Sequence, residues 1–483
     1  EIRFTSYYAN TAYTYNGKYT VNGSWRVDHS NLFGLDKSAQ NKPVWSAGVK
    51  WKMSEEEFMK NAVWLNALSV RATYGITGNS PLPGTSSSFD ILAPQSSASL
   101  PGGLGLAVAT ASNRRLTWES TKIFNLGFDF SLLSSRLNGS VDFYNKKTDN
   151  LLGNMTVNGF TGYSSIVGNF GSLQNKGIEF SVNSLNIRSK SFSWNSLLSL
   201  AYNKNIITQL NDPTAITTGS QKVSSQYVTG YSAFAIFAYK YAGLDALGDP
   251  QIQLNDKTVT KTPNIAKPED IRFMGTYQPV WSGGLSNSFR YKDFTLTANM
   301  VFNLGHVMRR EVGPNYSLYS GHFISHGNVM STSDQSGFTG GQVHPDFLNR
   351  WKNPGDEAIT NVPSFVVNSS VSDTRRELAY YKYADINVVS ASFIKLRDIT
   401  LAYRLPENLI SRIKTESVTL RVQVSNIMLW KANKYGIDPE FQDPFYGRRV
   451  PSTPYTTSIR PDKNTQSYRF GQGTISVGAH VNF

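Results

Sequence analysis

The sequence contains no cysteine and no long run of apolar residues. With 0 Cys among 483 residues, thiol catalysis, disulfide bonds and cysteine-based zinc or iron–sulfur sites are excluded. The apolar stretch at residues 233–239 stops after about seven residues, whereas a membrane-spanning helix needs roughly 20. The sequence therefore excludes membrane-spanning helices.

Motifs for catalysis, metal binding and nucleic-acid binding are also lacking. We find no Gly-x-Ser-x-Gly and no zinc-protease motif, and His322 and His326 share i, i+4 spacing only within a Gly/Ser-rich stretch. The net charge is +13, but Lys and Arg are scattered, so nucleic acid is not an expected partner. An anionic lipid surface or an acidic cargo fits this charge. We expect no enzyme, no cofactor and no metal, and we expect the acid pairs Asp438/Glu440 and Asp356/Glu357 to be solvated or to bind calcium.

Aromatic residues make up 13% of the chain, and apolar and polar side chains alternate along nearly all of it. A period of two is typical of β-strands with one apolar and one polar face. We predict about 13 such strands, each near the ~9–11 residues that cross a tilted barrel wall. A change of phase predicts a β-bulge near Arg397 and Asp398. Apolar rows start at Tyr19, Trp45, Leu68, Phe124, Leu137, Ile178, Phe192, Trp281, Phe294, Ile394, Val418 and Ile475.

Short and long connections alternate along the chain. Short ones are predicted at residues 16–17, 134–136, 188–191 and 292–293, and small helices are predicted after Ser54 and between Pro406 and Thr415. Long ones are predicted at residues 77–115, 148–173, 204–278, 305–388 and 431–470. This asymmetry is typical of outer-membrane barrels, with short periplasmic turns and long extracellular loops. A soluble sandwich has shorter strands and no reason to place its long loops at one end. The predicted fold is an all-β transmembrane antiparallel β-barrel.

The two chain ends carry separate predictions. Glu1 opens a strand-like pattern with no signal peptide before it. An odd number of strands with Phe483 in the periplasm would place Glu1 outside the cell. Because unpaired strand edges are costly in lipid, we expect an N-terminal segment or another chain to supply further strands. Phe483 ends an apolar row and is predicted to be the signal for barrel assembly, although it could also be an ordinary last strand residue.

Several segments occur in a specific order along the chain. They are SEEEFMKN (54–61), LSVRATYGITGN (68–79), LTWE (116–119) with NLGFDF (125–130), DFYNKKT (142–148), NFGSLQNKGIE (169–179), FAYKYAGLD (237–245) and FIKLRDITL (393–401). Together they resemble the C-terminal half or more of SusC/RagA-type TonB-dependent transporters, the outer-membrane nutrient importers of Bacteroidetes.

The resemblance implies a 22-stranded barrel with a plugged lumen, of which residues 1–483 would be the C-terminal barrel portion. The plug domain, the TonB box and about nine strands would then lie outside this chain. It also implies TonB as a partner through the missing N-terminal part and a SusD-like surface lipoprotein as a lid. Dimers of transporter–lid pairs and uptake of oligosaccharides or oligopeptides are further expectations.

Two sets of aromatic residues are candidates for contacts with other molecules. Five tryptophans in outward phase are predicted to form interface girdles rather than sugar-stacking sites: Trp25, Trp45, Trp51, Trp194 and Trp281. Trp351 and Trp430 are candidate contacts for polar cargo or the lid. Aromatics of the long loops are further candidates, with packing between loops as the alternative: Tyr227, Tyr231, Phe234, Tyr316, Tyr319, Phe323, Phe441, Phe445 and Tyr446.

The leading functional hypothesis is energised nutrient import across the bacterial outer membrane. The predicted interior face, which includes Arg26, Arg71, Asp129, Glu179 and Arg421, suits a polar cargo. A passive porin or structural barrel is the alternative within the membrane. A soluble adhesin or lectin sandwich is the third hypothesis, and it predicts that the apolar rows pack against a second sheet.

Overall fold

A computed structural model of the chain describes residues 4–30, 42–80, 89–96, 104–158, 160, 165–211, 216–225, 227–310, 312, 345–366, 374–410, 415–441 and 473–482. Strands are numbered β1–β22 along the chain, and thirteen of them form one sheet in which neighbours follow chain order. These are β1 (Phe4–Tyr15), β2 (Tyr19–Ser30), β3 (Pro43–Lys52), β4 (Leu65–Asn79), β7 (Glu119–Leu132), β8 (Leu137–Thr156), β9 (Ser165–Arg188), β10 (Phe192–Leu210), β16 (Trp281–Tyr291), β17 (Phe294–Leu304), β20 (Phe393–Arg404), β21 (Ser417–Lys431) and β22 (Thr474–Asn482). The predicted number of strands is confirmed.

The remaining strands lie in the long connections. They are β5 (Ile91–Ser96), β6 (Leu104–Thr110), β11 (Ala235–Ala238), β12 (Tyr241–Leu244), β13 (Pro250–Gln253), β14 (Val259–Thr260), β15 (Arg272–Thr276), β18 (Val307–Arg309) and β19 (Val388–Ser390). They form sheets of two or three strands. In the described part of the chain, no second large sheet covers the apolar rows, which contradicts the sandwich hypothesis.

The pairing register separates an apolar face from a polar face, because residues opposite each other on neighbouring strands share a face. Val21 lies opposite Val49, and Trp25 lies opposite Trp45. On the other face, Lys50 lies opposite Arg71. All twelve strand pairs of the sheet are antiparallel. Among the described residues, β1 and β22 are the two outer strands of this sheet.

Short turns join the strands at one end of the sheet. In the first turn, Asn16 and Gly17 have φ values of 49° and 68°, and the Lys18 N–H donates to the Tyr15 carbonyl at 3.0 Å. Two successive residues with positive φ make the type I′ turn that matches strand twist. Residues 133–136, 189–191 and 292–293 join three further strand pairs, so the predicted short connections are confirmed.

The predicted bulge in β20 is also confirmed. Asn299 of β17 lies opposite Asp398, whereas the next residue, Met300, lies opposite Leu396. Arg397 is therefore the extra residue of the bulge. It allows the apolar residues before and after the bulge to lie on the same face of the sheet.

The predicted long loop at residues 148–173 is mostly strand, which corrects the sequence analysis. β8 continues to Thr156 and β9 begins at Ser165, with Asn154 opposite Val167 and Met155 opposite Ile166. Glycines and asparagines interrupt the alternation here, so the local pattern hides strands that cross-strand pairing extends.

Two long connections pack together over the other end of the sheet. This loop layer, the described parts of residues 211–280 and 305–392, contains helices α1 (Gly219–Ser224) and α2 (Ala379–Lys382). Phe237, Tyr239, Ile252 and Tyr380 are buried in its core. Unlike the single-layered sheet, the loop layer has an interior of its own.

Of the two small helices predicted on the short-turn side, the structure contains one α-helix. Helix α3 (Glu407–Ile410) confirms one of them. After Lys52 the chain instead forms two 3-10 turns, Met53–Glu55 and Glu57–Met59, without a side-chain cap. The Glu56 carboxylate accepts hydrogen bonds from Tyr19 and Trp51, which ties these turns to the strands instead. Among the described residues, no helix has the length and apolar character needed to cross a bilayer.

Candidate functional site

A charged cluster lies at the centre of the polar face. The Arg71 guanidinium donates to Asp142 at 2.6 Å and to Asp129 at 3.3 Å. The Lys50 ammonium is 3.6 Å from Asp129. Gly127 stands between Arg71 and Asp142 in the cross-strand row, and a Cβ there would meet the guanidinium at 2.6 Å. The glycine thus allows the arginine to reach across β7.

A polar recess of about 300 Å³ adjoins this cluster. Its lining combines the carboxylates of Asp142 and Glu179 and the hydroxyls of Ser140, Ser181, Ser199 and Ser282 with apolar surface from Phe180, Leu200 and Ala201. Carboxylates accept hydrogen bonds, while hydroxyls can donate or accept them. The recess can therefore hydrogen-bond to sugar hydroxyls, peptide groups or a polar protein segment.

Tyr144 spans the next part of the polar face in the same manner. Its hydroxyl donates to the Asn203 side chain at 3.0 Å, and Gly177 lies between the two residues in the cross-strand row. The Lys146 ammonium is 4.7 Å from the centre of the Tyr144 ring. A glycine again leaves room for a long side chain that links strands two apart.

In the loop layer, a fully buried carboxylate holds three cations. Asp249 pairs with Arg375 at 2.7 Å, Lys261 at 3.0 Å and Arg376 at 3.4 Å. Lys261 also contacts Asp245. Burial would raise the pKa of the Asp245 carboxyl, but hydrogen bonds from Lys261 and from two backbone N–H groups outweigh burial and lower this pKa. The network joins segments more than 100 residues apart, because Asp249 and Arg375 are separated by 126 positions.

The acid pair Asp438/Glu440 is neither solvated nor arranged for calcium, which corrects the sequence expectation. The buried Lys395 ammonium is 3.0 Å from Asp438 and 2.6 Å from Glu440. Arg397 also pairs with Glu440. Burial would raise the pKa of Glu440, but Arg397 and Lys395 outweigh it and lower this pKa. A buried lysine needs acidic partners, and these contacts hold residues 438–440, just after β21, against β20.

Asp356 and Glu357 serve the local fold of their loop. Asp356 accepts backbone hydrogen bonds from Lys352 and Asn353 at 2.9 Å. The Glu357 carboxylate accepts a side-chain hydrogen bond from the Trp351 indole N–H at 2.9 Å. In the described ranges, no three His, Asp or Glu side chains are grouped as a metal site; His322 and His326 lie outside these ranges.

The described loop aromatics pack against other loop or strand residues. The ring centres of Tyr231 and Phe237 are 5.0 Å apart, and those of Phe234 and Tyr277 are 5.3 Å apart. Tyr227 contacts Phe170, and Trp351 lies against Gly248. These four rings are half-buried, and their contact with cargo or a lid stays a prediction. The fifth described candidate, Trp430, is not in a loop: it lies on β21 opposite Ile394 of the apolar face and is 47% exposed. Outside the described residues lie Tyr316, Tyr319, Phe323, Phe445, Tyr446, Phe483 and the side chain of Phe441.

The strand tryptophans lie on the apolar face at two levels. Trp25 and Trp45 pair near the long-loop end, where Trp281 begins β16. Trp51 and Trp194 lie near the short turns, where Trp194 stacks on Phe289 with 5.5 Å between ring centres. This two-level placement fits the predicted girdles, whose contact with lipid stays a prediction.

Sequence reasoning missed several exposed aromatics, and the two most exposed in the described parts of the long connections are Phe160 and Phe89. Phe160, at the end of the β8–β9 hairpin, is 99% exposed, and Phe89 is 63% exposed. Neither belongs to an alternating row, so no periodic signal marks them. They are better placed than the half-buried rings to contact another molecule.

Comparison with known proteins adds independent information. The profile of the family described as "TonB dependent receptor-like, beta-barrel" matches residues 1–427. TonB-dependent receptor P39 of Formosa agariphila is 28% identical over 523 residues, covering 99% of this chain and 46% of that relative. TonB-dependent receptor SusC of Bacteroides thetaiotaomicron is 26% identical over 442 residues, covering 86% of this chain and 39% of SusC.

Among solved structures, the RagAB peptide importer in its "closed-closed" state matches with a TM-score of 0.73 at 20% identity. The match covers 99% of this chain and 47% of that one, so the chain spans less than half the length of these relatives. At this identity the likeness shows the fold, a β-barrel wall that is not closed by these thirteen strands alone.

The family consists of outer-membrane transporters and not of enzymes. Its match to most of the chain confirms the resemblance found in the sequence segments. The chain belongs to the TonB-dependent receptor family and forms part of its β-barrel.

Proposed function

We propose that the protein containing this chain imports a polar nutrient across the outer membrane with energy relayed through TonB. The observation that carries this proposal is the polar face, which runs across thirteen strands and contains the Arg71 cluster and the recess at Glu179. In a barrel, one face of every strand contacts lipid and the other faces the lumen. The apolar rows suit lipid, so the polar face is the lumen wall.

The orientation follows from the two ends of the sheet. Long loops of outer-membrane barrels face the outside, and short turns face the periplasm. The loop layer is therefore extracellular, and β22 runs towards the periplasm.

The proposed cargo is an oligosaccharide or an oligopeptide. Both are chains of repeating hydrogen-bonding groups, which suit a wall of hydroxyls and carboxylates better than an apolar ligand does. One named relative supports a cargo of this kind, since RagAB is a peptide importer.

A SusD-like surface lipoprotein is the proposed partner at the extracellular end, and transporter–lid pairs could assemble as dimers. The loop layer offers it a folded platform rather than separate loops. Exposed Phe160 and Phe89 are the proposed anchors, because large exposed aromatics are enriched at protein interfaces. Tyr227, Tyr231, Phe234 and Trp351 would support the shape of this platform and line the path of the cargo.

Uptake by cells tests the proposal. Deleting the gene should abolish growth on one class of oligosaccharide or peptide, and deleting TonB should have the same effect. Ser199→Trp fills the lumen recess and should reduce uptake, whereas Ser476→Trp, on the same face of β22, is the matched control. Unchanged growth of the deletion strain on every glycan and peptide would refute the proposal.

A passive porin makes a different prediction in planar bilayers. A porin conducts steadily, whereas a plugged barrel stays closed without TonB. Steady conductance of the intact protein would favour the porin.

A further inference from the structure

Four lysines interrupt the apolar face close to its long-loop end. They lie on four consecutive strands of the sheet, and all are exposed: Lys122 on β7, Lys147 on β8, Lys176 on β9 and Lys204 on β10. Two residues nearer the short turns, the same face carries Phe124, Ile178 and Tyr202. The lysines therefore mark the boundary where the apolar wall ends.

The register places these lysines in two facing pairs. Lys122 lies directly opposite Lys147, and Lys176 lies directly opposite Lys204. Like charges in directly opposite positions destabilise a sheet. An anion that lies between the ammonium groups would offset this repulsion.

In the part that the structure describes, the chain itself partly compensates the first pair but not the second. Asp149 lies 3.4 Å from Lys122 and 4.0 Å from Lys147. Within the described residues, no carboxylate lies within 4.0 Å of the Lys176 or Lys204 ammonium. The four lysines and Asp149 together keep a net positive charge.

Polar side chains connect the two pairs into one surface. Between them, the Gln174 side chain donates to Asn145 at 2.8 Å, and Asn145 lies opposite Lys176. We use the name lysine belt for the surface formed by Lys122, Asn145, Lys147, Gln174, Lys176 and Lys204. It presents ammonium and amide donors side by side, the groups that bind phosphate.

Apolar surface lies immediately below the belt, and a cavity lies beside it. Tyr202 and Trp281 are in contact, with 4.8 Å between ring centres. The cavity, of about 360 Å³, is lined by Lys122, by the carboxylates of Glu119 and Asp149, and by Trp45 and Trp118. A ligand that fits this surface carries negative charge at one end and apolar chains at the other.

We infer that the lysine belt binds the phosphate groups of a phosphorylated lipid of the outer leaflet, with its acyl chains against the apolar row below. Charge complementarity selects the phosphate, and the continuation of the apolar face selects a lipid over a soluble anion. The inference rests on the proposed orientation, which puts this end of the strands in the outer leaflet. It concerns the outside of the barrel, so it is independent of the cargo.

Lipid binding to the intact protein tests the inference without any uptake assay. The probe is a bisphosphorylated glycolipid in phosphatidylcholine nanodiscs, and bound lipid is counted by native mass spectrometry. Since each lysine near an anionic membrane surface contributes about a fivefold factor, Lys176→Gln with Lys204→Gln should weaken binding about 25-fold. Raising the salt concentration should also release the glycolipid from the unaltered protein.

The matched control is Lys190→Gln with Lys292→Gln, which removes the same charge at the short-turn end. This control should bind the glycolipid within about twofold of the unaltered protein. Equal losses in the two double variants, or no loss in either, would overturn the inference. So would equal binding of the dephosphorylated glycolipid, because the apolar row would then suffice. Loss of a co-purifying protein with unchanged lipid would assign the belt to a protein partner instead.

Discussion

The sheet and the loop layer reach stability in different ways. The sheet is one layer thick, and its strands are held by backbone hydrogen bonds between neighbours, with many apolar side chains left exposed. The loop layer has a buried core around Phe237 and Tyr380 and fully buried ionic groups such as Asp249. Removing a charged side chain should therefore lower the stability of the protein greatly at the loop end and only slightly on the open polar face.

The largest expected effect comes from the buried lysine at the loop end of β20. Lys395→Met leaves Asp438 and Glu440 without their shared cation, and removing one partner of a buried ion pair costs about 3–5 kcal/mol. Thermal unfolding of the intact protein in detergent should show this loss. Arg397→Gln, which removes the half-exposed partner of Glu440, is the control and should cost about 1 kcal/mol or less. Equal losses would contradict the role given to burial.

A pH-dependent effect should follow from the buried His306. Burial lowers its pKa to about 4, and its Nδ1 has no hydrogen-bond partner among the described residues. The imidazole therefore binds a proton more readily in the unfolded chain than in the folded one. The free energy of unfolding should be highest above about pH 6.5 and should fall by up to about 3 kcal/mol as the pH drops towards 4.

Urea unfolding of the intact protein at a series of pH values measures this change. His306→Gln should flatten the profile over this window, whereas His480→Gln, at an exposed position on β22, should leave it unchanged. A profile unaltered by His306→Gln would show that this imidazole does not control the stability of the loop layer.

On the sheet, we expect stability to depend on the volume of side chains at closely packed positions. In Gly177→Ala, the new Cβ would collide with the Tyr144 ring and the Tyr202 carbonyl. Overpacking of this kind costs about 1–3 kcal/mol, which thermal unfolding can measure. Gly23→Ala is the control, since its nearest neighbours are 3.9 Å away. Similar losses at both positions would point to glycine flexibility rather than to the crossing of Tyr144.

The smallest expected effect is on the open polar face. Arg71→Gln removes the cation shared by Asp129 and Asp142, yet these groups remain partly exposed to the lumen. Exposed ion pairs contribute about 1 kcal/mol or less, so thermal unfolding should change little compared with Lys395→Met. Arg421→Gln on β21 is the matched change elsewhere on this face. A loss as large as that of Lys395→Met would mean that the lumen wall excludes water at Arg71.

Much of the sheet could be predicted because its pattern is local. The alternation around Trp25 and Trp45 specifies a strand and its apolar face within a few residues. Asn16 and Gly17 specify their turn, and the phase change at Arg397 specifies its bulge. The extension of β8 and β9 was missed because Asn154 and Gly153 carry no apolar alternation, and only pairing with the neighbouring strand identifies them.

The loop aromatics could not be assigned in the same way. Tyr231 and Phe160 are both aromatic residues in polar loops, but one is half-buried against Phe237 and the other is almost fully exposed. Which ring is covered depends on how separate loops pack. The sequence therefore identified candidates for contact without ranking them.

By itself, the sequence determined the strands, their two faces, the order of short and long connections and the family, because each depends on neighbouring residues or on their order along the chain. The tertiary structure alone decided which charges meet, as Asp249 meets Arg375 and Lys395 meets Asp438, and which lysines stand opposite one another in the belt. These contacts join positions far apart in the chain or depend on cross-strand register. A charged side chain has no local preference that specifies its partner.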